Sequence, residues 1–209
     1  MARAPAPGGG EPGGFHRKAT SSTVLLSGPS QALATRRGIP RGIAIGRGPC
    51  PSATGGGWAF GLAVRAADAS HFSSGLWVGF TATAPGALAA RNARGSTVDF
   101  AADVPDSCVI GGEGFLWDGL EFVETNWRPA QLDVGDELSI LLFEHGEFRL
   151  SVNGRTVVSS PKAHLPFRAA LYPLVELHGA TEAVELLPFA GPWPSAAAPP
   201  PTASAPPPL

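Results

Sequence analysis

Residues 135–158, GDELSILLFEHGEFRLSVNGRTVV, constrain the fold most, because they carry two β-hairpin signals in succession. Residues 138–143 are apolar and His145-Gly146 interrupts them; Phe148, Leu150 and Val152 then alternate with Glu147, Arg149 and Ser151. That is period two, the pattern of a strand with one buried and one wet face, whereas a helix needs apolar residues three and four apart. Asn153-Gly154 follows, the pair that accepts positive φ at both centres of a type I′ turn, so residues 156–158 are expected to fold back as a third strand. This meander is expected in the middle of a sheet.

Similar runs recur along the chain at short intervals. Residues 23–26, 32–36, 42–45, 58–65, 75–83, 108–110, 115–117, 120–123, 169–177 and 183–187 read as strands, separated by Ser27-Gly28-Pro29, Arg37-Gly38, Gly46, Gly55 to Gly57 and Asp118-Gly119. In the fifth run Leu76, Val78 and Phe80 share one side and Trp77, Gly79 and Thr81 the other. Roughly a dozen short strands with no long helix, in a chain with 27 Gly and 22 Pro, indicate an all-β fold: two antiparallel sheets packed as a sandwich. Pro166 and Pro173 bracket the penultimate run. Proline cannot donate to a ladder, so that strand is expected at an edge or with a bulge at Pro173.

At 209 residues the chain is sized for one domain with tails. Residues 1–14 are low-complexity, and their GxGxxG match at Gly8, Gly10 and Gly13 has neither the strand nor the helix a dinucleotide turn needs. Residues 194–209 contain seven prolines, and the whole of 190–209 reads as a Pro/Ala-rich disordered tail. The intervening domain is expected at 15–189.

A formal charge of −2 gives no reason to expect a nucleic-acid partner. Its distribution is uneven: residues 1–65 hold eight Lys/Arg against one acidic residue, and residues 99–189 hold five against fifteen. Either the basic third faces an acidic partner, or a sandwich interleaves early and late strands and neutralises both. No apolar run is long enough to span a bilayer and no signal-peptide core follows Met1, so a reducing, cytoplasmic setting is expected, with Cys50 and Cys108 as isolated thiols.

Several motifs, taken in order, resemble one family. Phe15-His16, residues 23–27 (TVLLS), residues 34–38 (ATRRG) and Gly42-Ile43-Ala44-Ile45 are similar to the opening of the neuralized homology repeat. Residues 75–85 resemble its Gly-Leu-x-x-Gly-x-Thr-x-x-x-Pro strand, and residues 107–112 its Trp-x-x-Ser-Gly region with the aromatic replaced. Val134-Gly135-Asp136, Val152-Asn153-Gly154 and residues 171–184 resemble its closing half. Departures are Ala44 and Gly46, where larger or polar residues are usual, and residues 85–106, which lack the usual Pro-Asp-Leu pattern. The resemblance implies a concanavalin/SPRY-like jelly roll. It also implies recognition of short peptide segments of other proteins, as an adaptor or scaffold for ubiquitin ligation. A RING holds zinc through Cys and His. Residues 190–209 contain neither, and no SOCS-box segment follows, so ligase components would be separate chains.

No GxSxG, Walker A, HExxH or EF-hand sequence is present, and His16, His71, His145, His164 and His178 are scattered singly. No enzyme activity, cofactor or metal is expected. An alternative is a hydrolase using the acidic run Glu121, Glu124, Asp133, Asp136 and Glu137, since jelly rolls host carboxylate-pair glycosidases; another is a sugar-binding, lectin-like jelly roll. Recognition residues concentrate on the loops at sandwich ends. The candidates for a peptide site are Trp117, the loop Asn126-Trp127-Arg128 with Trp127 as the best exposed aromatic, and Arg36 and Arg37, which either grip a carboxylate or form the wet face of a strand. Trp58 reads as inward-pointing core rather than as a contact, and Trp117 reads equally as either.

Overall fold

The computed structural model describes residues 13–38, 41–53, 56–68, 70, 74–166 and 169–188. Residues 1–12 and 189–209, which hold nearly all of both expected tails, lie outside the described residues, as does His71. Thirteen strands are described: β1 (Val24–Ser27), β2 (Leu33–Arg36), β3 (Gly42–Ile45), β4 (Trp58–Ala67), β5 (Gly75–Thr81), β6 (Ser107–Gly112), β7 (Phe115–Trp117), β8 (Phe122–Glu124), β9 (Glu137–Leu142), β10 (Phe148–Val152), β11 (Arg155–Ser160), β12 (Tyr172–Leu177) and β13 (Thr181–Leu187). They form two antiparallel sheets, β1-β2-β13-β4-β9-β10-β11 and β3-β12-β5-β6-β7-β8. This is the expected sandwich. Early strands do neighbour late ones in both sheets, and Arg65 on β4 pairs with Glu185 on β13 at 2.6 Å.

The two-residue turn is as read. Val152 pairs with Arg155 across Asn153 and Gly154, whose φ values are 50 and 78. The meander, however, is not central: β9, β10 and β11 form one end of the seven-stranded sheet, with β11 at its edge. Alternation identifies a half-buried strand and carries no information about its rank in the sheet. The Pro173 expectation is also corrected. β12 lies between β3 and β5 with no register shift against either. In a strand the N and C=O of one residue point to the same side. The Pro173 carbonyl accepts from Gly46 N–H at 2.8 Å, where regular pairing with β3 has already ended, so the missing N–H is missing only at the end of a ladder.

The sheets enclose the main core. Phe80 on β5 stands edge-on to Phe60 on β4 at 5.2 Å and to Phe148 on β10 at 6.3 Å, bridging the two sheets. All three rings are fully buried, and burying such a side chain contributes roughly 1.5–3 kcal/mol.

The six-stranded sheet is covered on its outer face as well. Leu76, Val78 and Phe80 enter the main core while Trp77 joins Ile43, Ile45, Val109 and Leu174 in a second apolar layer. The cover is residues 85–104, which include one short helix that the sequence reading did not anticipate, α1 (Pro85–Ala93). Pro85 starts it and alanines favour it, but only Pro85 and Leu88 are buried, so no apolar stripe announces it.

Candidate functional site

The outer layer leaves a cleft of about 730 Å³ at the β3 side of the sheet. Its floor is Ile43 and Ile45, which β-alternation turns outward from β3. One wall is residues 18–23, laid along the free edge of β3. His16 N–H donates to the Ile45 carbonyl at 2.7 Å, Ser21 N–H to the Ile43 carbonyl at 2.8 Å, and Ile43 N–H to Ser21 Oγ at 3.0 Å. The other wall is Leu88 and Asn92 of α1 with Thr97, Val98, Asp99 and Val104. Asn92 Nδ2 donates to the Lys18 carbonyl at 3.3 Å, which ties the two walls together. Lys18, Arg41 and His178 add charge and hydrogen-bonding capacity to this apolar floor.

Beside the cleft a buried carboxylate holds the covering segment down. Glu176, on β12 opposite Ile43, is fully buried, and its Oε2 accepts from Ala101 N–H at 2.7 Å. Arg41 Nε lies 3.7 Å from Oε1, and the Arg41 guanidinium carbon sits 5.3 Å from the centre of the Phe100 ring. Burial pushes the Glu176 carboxyl up to about 7; the Ala101 N–H and Arg41 pull against that rise and Asp103 adds to it.

None of the residues expected from the sequence to bind peptide lines this cleft. Trp127 is not exposed: it is 6% accessible and belongs to the main core. An aromatic in a loop between turn residues fills the sandwich end as readily as it faces water. Arg36 is not on a wet face; it is buried and its Nη2 donates to the Gly179 carbonyl at 2.9 Å. Arg37 is exposed at the end of the same strand. Trp117 is half-buried and packs on Phe122 at 4.9 Å, while Trp58 flanks the main core. Asn126 and Arg128 are exposed; Arg128 Nη1 donates to the Thr125 carbonyl at 2.7 Å, and Asn126 lines a smaller groove of about 310 Å³ between the edge strands β8 and β11. The structure thus gathers Trp117, Asn126 and Arg128 near β7 and β8, and leaves Arg36 and Arg37 on the other sheet.

The last three members of the acidic run, Asp133, Asp136 and Glu137, build a turn, while Glu124 ends β8. Asp136 Oδ2 accepts from Asp133 N–H at 2.9 Å and its Oδ1 from Asn153 Nδ2 at 2.7 Å, while Glu137 N–H donates to Asn153 Oδ1. His164 Nδ1 lies 3.3 Å from Asp118 Oδ2, and His145 Nε2 lies 3.3 Å from Glu147 Oε2. Among the described residues, no three His, Cys, Asp or Glu side chains converge as metal ligands.

This architecture, two antiparallel sheets with a short helix over one of them, is that of an NHR/SPRY-like β-sandwich. The chain belongs to the Neuralized family, whose model matches residues 60–188. The fold is similar to a crystal structure of the Drosophila melanogaster neuralized-nhr1 domain, with a TM-score of 0.62 at 14% identity, covering 83% of this chain and 96% of that one. It is also similar to a human SPRY domain, with a TM-score of 0.55 at 16% identity, covering 82% and 98%. The SPRY domain of human HERC1 gives 0.55 at 18% identity, covering 84% and 98%. A search of curated proteins found no match. NHR and SPRY domains are a family of protein–protein interaction modules. Among the described residues no helix is long and apolar enough to cross a membrane.

Proposed function

We propose that the chain recognises a short segment of a partner protein in the cleft over β3, acting as a substrate-recognition adaptor or scaffold for ubiquitin ligation in the cytoplasm. Membership of a family of interaction modules supports the class. The observation that carries the site is the cleft's make-up: an apolar interior of Ile43, Ile45, Leu88 and Val104 ringed by Lys18, Ser22, Arg41 and Asn92. Apolar area inside a polar rim is what anchors a side chain and fixes its orientation. The buried thiols Cys50 and Cys108 suit a reducing compartment. Phe15, fully buried and bridged to Gly46, supports a domain that extends at least to residue 15 on its N-terminal side.

The test is to pan a displayed random-peptide library on the 209-residue chain. Ser22→Trp and Thr97→Trp, both at exposed lining positions, are expected to abolish binding of enriched peptides, while Asn126→Ala and Arg128→Ala leave it intact. No enrichment, or the reverse pattern of loss, contradicts the proposal.

A further inference from the structure

Arg41 faces two ways. Its Nε lies 3.7 Å from Glu176 Oε1, yet its side chain is 41% exposed and lines the cleft. Glu176 is the unfinished half of the pair: Oε2 is satisfied by Ala101 N–H, but buried Oε1 has no hydrogen-bond donor, 3.7 Å being too long for one. An ionised carboxylate held this way is poorly compensated for the water it has lost, and a proton relieves it. The other groups around it leave that balance open. Asp103 contributes a negative charge from the turn that supplies Ala101, and Ile43 and Trp77, its neighbours on β3 and β5, do not titrate in this range. His178, two residues on and just past the end of β12, lines the cleft.

Resting on the reading of the cleft as the peptide site, we propose that the bound segment carries an aspartate or glutamate that pairs with Arg41 from the solvent side, while Glu176 takes up a proton from water. Arginine offers a planar fork that an incoming carboxylate engages with two parallel hydrogen bonds, better than the single long contact it now has. Two carboxylates sharing one guanidinium disfavour each other's charge, and the buried one gives way because ionisation costs it more. Lys18 at the rim adds attraction for the same ligand. Among the described residues Asp99 is the one opposing carboxylate in the lining, so the selection is for an acidic group seated at Arg41 rather than for a polyacidic tract.

Displayed random peptides free of histidine, panned on the full chain at pH 6, are the probe. Enriched peptides are expected to share Asp or Glu at one position and to bind about fivefold tighter at pH 6 than at pH 8. That pH dependence should persist in His178→Asn and vanish in Glu176→Gln, which keeps an oxygen to accept from Ala101 N–H. Arg41→Gln should bind with the acidic preference lost. Peptides that depend on the cleft but share no acidic residue, or a pH dependence that survives Glu176→Gln, overturn this inference and leave the cleft reading standing. Failure to enrich any peptide blocked by Ser22→Trp removes both.

Discussion

A Cβ placed on Gly46 would stand 2.5 Å from Cδ and 2.8 Å from Cγ of Pro173. The absence of a side chain at Gly46 is thus what admits a pyrrolidine ring into a strand that lies inside its sheet. Gly46→Ala is expected to destabilise the fold by about 1–3 kcal/mol, because the ring is rigid and the strands on both sides are fixed. Pro173→Ala should recover part of that loss in the double variant. Denaturant unfolding of the four proteins in the cycle measures the coupling.

The loop after β8 separates structural from exposed positions. Trp127→Ala is expected to cost about 3–5 kcal/mol, as the deletion of a large buried aromatic. Asn126→Ala next to it should stay within about 0.5 kcal/mol. Urea midpoints at constant m-value decide this, and any loss of partner binding by Trp127→Ala should track its unfolding.

Both thiols should be inert in the folded chain. Burial raises the Cys50 thiol well above its usual range, and burial together with the Asp118 charge raises Cys108 likewise. The thiolate is the nucleophile, so a disulfide reagent at pH 8 is expected to label neither residue in buffer and both in denaturant. Rapid labelling of the native chain would contradict their burial.

Stability should fall as pH rises, through Glu176. Its carboxyl titrates at about 7 in the folded chain against 4.5 when unperturbed, so the folded state holds the extra proton between those values. The stabilisation is present in full below pH 4.5 and is lost as pH rises through 7, about 2–3 kcal/mol between pH 5 and pH 8. Glu176→Gln should remove this component from the stability profile. Equal slopes in the two proteins would contradict the assignment.

These outcomes also mark what the sequence could convey. Strand alternation at Phe148, Leu150 and Val152 and the Asn153-Gly154 turn were legible because each is dictated by its immediate neighbours. The sidedness of β5, Leu76-Val78-Phe80 against Trp77-Gly79-Thr81, was legible for the same reason; the burial of both faces was not, because the cover over the second comes from residues 85–104. Pro173 misled because its tolerance depends on Gly46, more than a hundred residues away, and the sequence does not say which strands are adjacent. The cleft was missed because its lining comes from residues 18–23, Arg41, β3, α1, residues 97–104 and His178, which only the folded chain brings together. The signal available was Glu176, a carboxylate in the otherwise apolar run Leu174-Val175-Glu176-Leu177. A strand that keeps a charge between buried neighbours calls for a partner above the sheet.

The docking site itself is tested most directly by amide NMR of the full chain titrated with an enriched peptide. The account predicts that shift changes concentrate at residues 18–23, 41–45, 88–92 and 97–99, with the Asn126 to Arg128 loop unmoved. Changes confined to that loop and the β8 and β11 edges, with residues 18–23 silent, would contradict it.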